Sequence, residues 1–283
     1  MAVELGVFVV PDAEDPQRTL DQIVAADESG LDVVGIQDHP YQRRFLDTWT
    51  LLSYAAALTE RVRLVPDVAN LPLRPPAVLA KSAASLDLLS GGRVELGLGA
   101  GGFWDGIAAM GGPRRTGPES VDALEEAIDV IRAVWSGERS VRAGGEHYRV
   151  DGLHPGPVPA HPMGIWLGAY GPRMMRVTGR LADGWLPSVP RLPLDEVMQR
   201  HVAIDEAARG AGRDPSEIRR VANVSVEGDA SDWADWPREL VRLATDYRFE
   251  TLIVWAEAGD DPVGLVRRIG EDVAPRVRAA LDG

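Results

Sequence analysis

What most constrains the fold of this chain is a strand–helix alternation that repeats eight times between residues 3 and 281. Residues 3–10 are apolar and rich in β-branched side chains, and residues 15–30 follow as an amphipathic helix. Asp15 is placed to cap that helix, Pro16 takes its first position, Leu20, Ile23 and Val24 share one face, and Gly30 stops it. Further strands are expected at 32–37, 62–68 and 93–98, with helices at 47–59, around Lys81 and at 119–135, where Val121, Leu124, Ile128, Ile131 and Trp135 form one stripe. Residues 137–164 break the rhythm with a hairpin-like SVRAGGEHYRV and a proline-rich GLHPGPVPAHP, and read as an insertion after the fourth unit. Strands at 165–169, 184–187, 219–226 and 251–255 then alternate with helices at 173–181, 194–208, 236–247 and 263–281. Eight consecutive units with short connections predict one α/β domain over residues 1–283, a closed (β/α)8 TIM barrel. Right-handed crossovers then put the C-terminal ends of all its strands on one face. A six-stranded doubly wound sheet with a small cap is the competing arrangement.

The segment GLGAGG bears on that choice, because Gly97, Gly99 and Gly102 spell G-x-G-x-x-G. In a dinucleotide-binding sheet this fingerprint sits in the first strand–helix turn and opens directly into a helix, with an acid about 20 residues on. Here it ends the fourth strand and runs into FWDGIAAMGGPRRTGPE, which reads as a loop because glycine and proline interrupt any helix before Glu119. Its position excludes the dinucleotide turn. In a barrel these glycines fall at the C-terminal face, where they either clear space for a flat or phosphorylated ligand or make a tight strand-to-loop turn.

Composition narrows the chemistry. A net charge of −13 and a pI near 4.9 exclude nucleic-acid and anionic-membrane surfaces as expected partners, leaving small molecules. There is no cysteine, so thiolate metal sites, iron–sulfur clusters and cysteine nucleophiles are absent. Of 30 basic residues only Lys81 is a lysine, and it lies within a helix, which argues against Schiff-base chemistry at a strand end. The N-terminal apolar run is too short for a membrane span and lacks a basic leader, so a cytoplasmic enzyme is expected.

The strand ends supply the candidate residues. The second strand closes with GIQDHPYQ, placing Asp38 and His39 at the mouth, and the third with PDVANLPLRPP, holding Asp67, Val68 and Asn70 in proline-flanked backbone. GAYGP follows the fifth strand, and Gly168, Ala169, Tyr170 and Gly171 there precede a helix bearing Arg173 and Arg176, a setting suited to an anion. Ser188 closes the sixth. Tyr41, Trp49 and Trp104 are candidates to shape the pocket or to pack. His147, His154 and His161 fall in the insertion and His201 on an apolar helix face, so no metal site is expected.

Taken together, GIQDHPYQ, VPDVANLPLRPPAVLAKSAASLDLLSGGRVELGLGAG, GAYGP and LADGWLPS resemble the luciferase-like monooxygenase superfamily, in particular its branch of coenzyme F420-dependent oxidoreductases. The similarity runs from the first strand to about residue 190. It implies a (β/α)8 barrel, commonly a homodimer, that binds F420, or alternatively FMN, at the C-terminal face. It implies a cis peptide at Asp67–Val68 beneath the cofactor ring, approach of Asp38 and His39 to that ring, and a polar contact from Asn70. Gly99 and Gly101 would flank the cofactor, while Gly168, Ala169, Tyr170, Gly171 and Ser188 would receive its phosphate end. The implied activity is hydride transfer between the deazaflavin C5 and a small C=C, C=N or C=O compound or alcohol, with His39 moving the accompanying proton. Oxygenation by reduced FMN and non-catalytic flavin binding are the alternatives. The missing lysine cluster speaks against a sugar phosphate as substrate.

Overall fold

The computed structural model describes residues 3–225, 235–255 and 261–282. Nine parallel strands form one sheet: β1 (Glu4–Val9), β2 (Val33–Ile36), β3 (Arg63–Pro66), β4 (Ala69–Asn70), β5 (Leu96–Gly99), β8 (Ile165–Leu167), β9 (Gly184–Trp185), β10 (Arg219–Val224) and β11 (Thr251–Trp255). Their order is β3, β2, β1, β11, β10, β9, β8, β5, β4. The strand expected at 62–68 stops pairing at Pro66, and β4 resumes just beyond it, the two parted at Asp67–Val68. Because β4 pairs with β5 through Ala69–Leu98 and Asn70–Gly99, and Leu64 of β3 bridges Val94, the sheet closes on itself. The (β/α)8 barrel expected from the alternation is therefore present, with its third strand interrupted. Val226, assigned to the seventh strand from the sequence, lies outside the described residues.

Helices α1 (Pro16–Glu28), α2 (Thr48–Leu58), α3 (Pro76–Ser90), α5 (Gly117–Trp135), α6 (Pro172–Leu181), α7 (Leu194–Gly210) and α8 (Trp236–Thr245) cover the sheet, with α9 (Pro262–Arg268) and α10 (Ala274–Asp282) joined by a wide turn. Local chemistry sets their ends. Asp15 and Asp47 accept from the amides of Arg18 and Thr50, Thr116 and Glu119 form a reciprocal capping box, and Gly91 ends α3 at φ 74°. One helix was not anticipated: α4 (Trp104–Ala109) forms inside the stretch read as loop. It tolerates Gly106 because a Cβ there would stand 2.7 Å from the Tyr41 ring, so the glycine is what lets α4 pack down. Between α5 and β8, β6 (Val141–Gly144) and β7 (Arg149–Leu153) make an antiparallel hairpin.

Two apolar layers result. The larger lies between sheet and helices; a smaller one, Phe8, Val33, Val65, Trp166, Leu186, Val221 and Ile253, fills the barrel. Below it Glu4 accepts from Arg63, Arg219 and Thr251 and closes the N-terminal end. His201 packs as the sequence suggested. Its Nε2 donates to the Tyr247 carbonyl at 2.8 Å, its Nδ1 accepts from Arg220 at 2.8 Å, and burial with the Arg220 charge pulls its pKa down to about 4. Among the described residues no helix is long and apolar enough to cross a membrane, and no group of three or more acids and histidines is arranged to hold a metal.

Candidate active site

A cavity of about 600 Å³ opens at the C-terminal ends of the strands, above the barrel's apolar filling. A larger cleft of about 780 Å³ lies outside it, beside Asp12, Glu14, Arg18 and Arg44. These four pair as Arg18–Asp12 and Arg44–Glu14, and of the cleft's charged lining only Arg43 stands outside these pairs.

The floor of the inner cavity is built by the break between β3 and β4. The Asp67–Val68 peptide is cis, as the resemblance implied, and Val68 rises under the ends of β5 and β8. A Cβ on Gly99 would come 2.8 Å from the Val68 Cγ2, and one on Gly168 3.1 Å, so both glycines make way for the bulge. Gly101, at φ 100°, has the same relation to Pro72 and Trp104. All three line the cavity, as does Gly102. Gly97 does not; a Cβ there would stand 2.1 Å from the Pro66 carbonyl, and its role is close approach of β5 to β3. The G-x-G-x-x-G spelling thus combines strand packing with clearance at the mouth.

Three oxygens at this floor are buried without a partner among the described residues: Asp67 Oδ2, Asn70 Oδ1 and Asn223 Oδ1. Asn223 donates through Nδ2 to Asp67 Oδ1 at 2.8 Å, across 156 positions of sequence. Burial outweighs that hydrogen bond and pushes the Asp67 carboxyl up to about 7. Asn223 was not identified from the sequence, since nothing in RRVANVSV marks an asparagine pointing inward.

Asp38 lines the cavity but is already engaged. Arg74 grips both its oxygens at 2.8 Å and the Asn70 amide donates to Oδ2 at 2.9 Å, which ties the second strand's loop to the third. His39 is half-buried beside it. Its Nδ1 lies 2.6 Å from the Tyr41 hydroxyl, and Phe103 stands edge-on to its ring at 5.3 Å. Burial holds the imidazole pKa below its ordinary value, opposed by the Asp38 charge and reinforced by Arg191. Tyr41 and Phe103 line the cavity; Trp49 and Trp104 do not.

At the other end the Ser188 amide donates to the Tyr170 hydroxyl at 2.9 Å, while Arg200 holds the Tyr170 carbonyl. Tyr170, Gly171 and Ser188 face the cavity together with Arg191, a cation the sequence reading passed over although it follows Ser188 by three residues. Two expectations fail here. Ala169 is 1% exposed and outside the cavity, its carbonyl accepting from the Trp185 indole at 2.9 Å. Arg173 is paired with Asp122 and Glu125 on α5, and Arg176 is exposed outside the cavity, so neither waits for an anion there.

A closed (β/α)8 barrel with this broken third strand and a mouth lined by glycines and aromatic rings defines the class. The chain matches the luciferase-like monooxygenase family model over residues 3–242 and belongs to that family. It is 30% identical to an F420-dependent glucose-6-phosphate dehydrogenase of Nakamurella multipartita, with 94% of each chain covered. It is 28% identical to the 5,10-methylenetetrahydromethanopterin reductase of Archaeoglobus fulgidus, over 99% of this chain and 78% of that one. In fold it matches an F420-dependent secondary alcohol dehydrogenase solved with an F420–acetone adduct, with a TM-score of 0.84 at 18% identity over 98% of this chain and 99% of that one.

Proposed function

We propose that this protein is an F420-dependent oxidoreductase acting on a small organic compound at the barrel mouth. The observation that carries the reading is the cavity floor: Val68 methyls raised between glycines, ringed by the unpaired oxygens of Asp67, Asn70 and Asn223. A flat apolar platform edged by hydrogen-bond acceptors suits a ring system that has N–H donors at its rim, and a buried acceptor left unpaired costs about 1–3 kcal/mol. The similarity to an F420-dependent glucose-6-phosphate dehydrogenase supports the same choice.

When bound, F420 supplies or accepts a hydride at C5 of its deazaflavin. The chain's own residues do the rest. Val68, Gly99 and Gly168 seat the ring, Asn70 and Asn223 orient its polar edge, and Tyr170, Gly171, Ser188 and Arg191 hold the phosphate-bearing side. His39 holds the proton that accompanies hydride transfer, at a ring nitrogen facing the substrate. As to substrate, Arg191 is the one cation among the described lining residues, and Lys81 lies on α3 away from the cavity. If Arg191 serves the cofactor, no cation is left for a sugar phosphate, which favours an uncharged carbonyl, imine, enone or alcohol.

Titrating the purified protein separately with F420 and FMN, and following cofactor fluorescence, tests this reading. Saturable binding of F420 at micromolar concentration is expected, with FMN weaker. Preference for FMN would instead support a flavin monooxygenase, and binding without turnover of enones, imines, aldehydes or secondary alcohols would support a binding protein.

A further inference from the structure

The His39–Tyr41 contact carries an inference about the state of the histidine. We propose that Tyr41 is a positioning residue whose hydroxyl donates to His39 Nδ1, fixing the imidazole as the tautomer that carries its proton on Nε2.

The geometry is tight and supported from two sides, by Phe103 and by α4. The hydroxyl oxygen and Nδ1 are 2.6 Å apart, and the two rings meet at 5.4 Å with an interplanar angle of 47°. Phe103, just before α4, packs its ring 5.3 Å from His39 at 87° and 6.0 Å from Tyr41. Gly106 of α4 leaves the room the Tyr41 ring occupies, its absent Cβ falling 2.7 Å from Tyr41 Cγ. The unexpected helix thus backs the pair.

Which atom holds the shared proton follows from the chemistry of the two groups. A neutral imidazole has one donor and one acceptor nitrogen, and a phenol can be either partner. Burial and then the Asp38 charge push the Tyr41 pKa up to about 12, so the phenol keeps its proton, while burial keeps His39 neutral near pH 7. A phenol O–H is a stronger donor than a neutral imidazole N–H, and an imidazole nitrogen a stronger acceptor than a phenol oxygen, so at 2.6 Å the neutral pair favours the hydroxyl as donor. With the hydroxyl as donor, Nδ1 is satisfied and the ring proton resides on Nε2, which has no protein partner among the described residues. The charged groups bearing on the imidazole are Asp38 on its own loop, clamped by Arg74, and Arg191 from the turn after β9.

The tautomer decides what a neutral His39 offers a ligand in the cavity. Nε2–H is a hydrogen-bond donor that polarises a carbonyl or imine acceptor, whereas the opposite tautomer offers a lone pair. The use made of that proton rests on the functional reading above; the tautomer itself is a property of the protein alone.

The test is imidazole nitrogen NMR on the cofactor-free protein labelled with 15N-histidine, with His39→Gln identifying the His39 signals. Wild type is expected to show one tautomer, with a pyrrole-type Nε2 and a pyridine-type Nδ1. Tyr41→Phe is expected to bring in the Nδ1–H form as a second, detectable population. A wild-type His39 protonated on Nδ1 overturns the proposal, and so does a Tyr41→Phe spectrum with an unchanged tautomer population. The wild-type measurement stands even if the variant misfolds. Since no cofactor is present, failure to bind F420 would overturn the functional reading and leave this result intact.

Discussion

Asp67 is where burial and chemistry conflict most openly. Its carboxyl sits in the barrel mouth with one oxygen held by Asn223 and the other unpaired, and its pKa is pushed up to about 7 from an ordinary 3.8. A carboxyl whose pKa is raised by folding binds its proton more tightly in the folded state. It therefore favours folding at low pH, and that contribution is lost as pH rises from about 4 to about 7. Asp67→Asn keeps the shape and the Asn223 contact but cannot ionise. Relative to wild type it should be close to neutral near pH 4 and more stable by on the order of 2–4 kcal/mol near pH 8, as read by urea unfolding. A difference that does not change with pH would show that the Asp67 carboxylate is better solvated than its burial implies.

At the scale of elements, the alternation of β-branched runs and striped helices was legible throughout, because each unit carries its own periodicity and caps. Three features were not. The third strand reads as continuous over 62–68, yet its pairing breaks at Asp67–Val68, a local event that apolar patterning does not encode and that only the family resemblance pointed to. α4 has only six residues and contains Gly106, so propensity opposes it; contact with Tyr41 supplies what the sequence lacks. Arg173 at the start of α6 looked ready for an anion until α5 brought Asp122 and Glu125 against it. The site was legible to the extent that its residues sit at strand ends, as Asp38, His39, Asn70 and Ser188 do. Its partners Arg74 and Asn223 were not, since they are joined to Asp38 and Asp67 only by the closed barrel. The role given to α4 is testable. Gly106→Val should push Tyr41 off its seat and with it His39, lowering turnover by about tenfold or more with the fold retained. Steady-state rates alongside circular dichroism check this, and an unchanged rate would remove α4 from the support of the site.

For the molecule as a whole, the outstanding question is what covers the outer faces of α2 and α3. α2 reads TWTLLSYAAAL, apolar on nearly every side and without a charge, and it leaves Tyr54 and Leu58 exposed. α3 adds Val78, 63% exposed, and Leu89, 86% exposed, along a groove of about 410 Å³ that also includes Trp49 and Leu86. A helix apolar all round is usually one packed all round. The chain carries a net charge of −13, which opposes self-association over most of its surface, yet the exposed charge on these two helices is limited to Lys81. Two copies meeting through α2 and α3 would bury the apolar face where their mutual repulsion is least, and would leave both cavities at the barrel mouths. If the chain forms the homodimer that the family resemblance implies, this face is the expected contact. Sedimentation velocity at micromolar concentration should give a dimer for wild type and a monomer for Val78→Glu combined with Leu89→Glu, with F420 binding retained in the monomer. A wild-type monomer, or a dimer indifferent to both substitutions, would place the partner elsewhere.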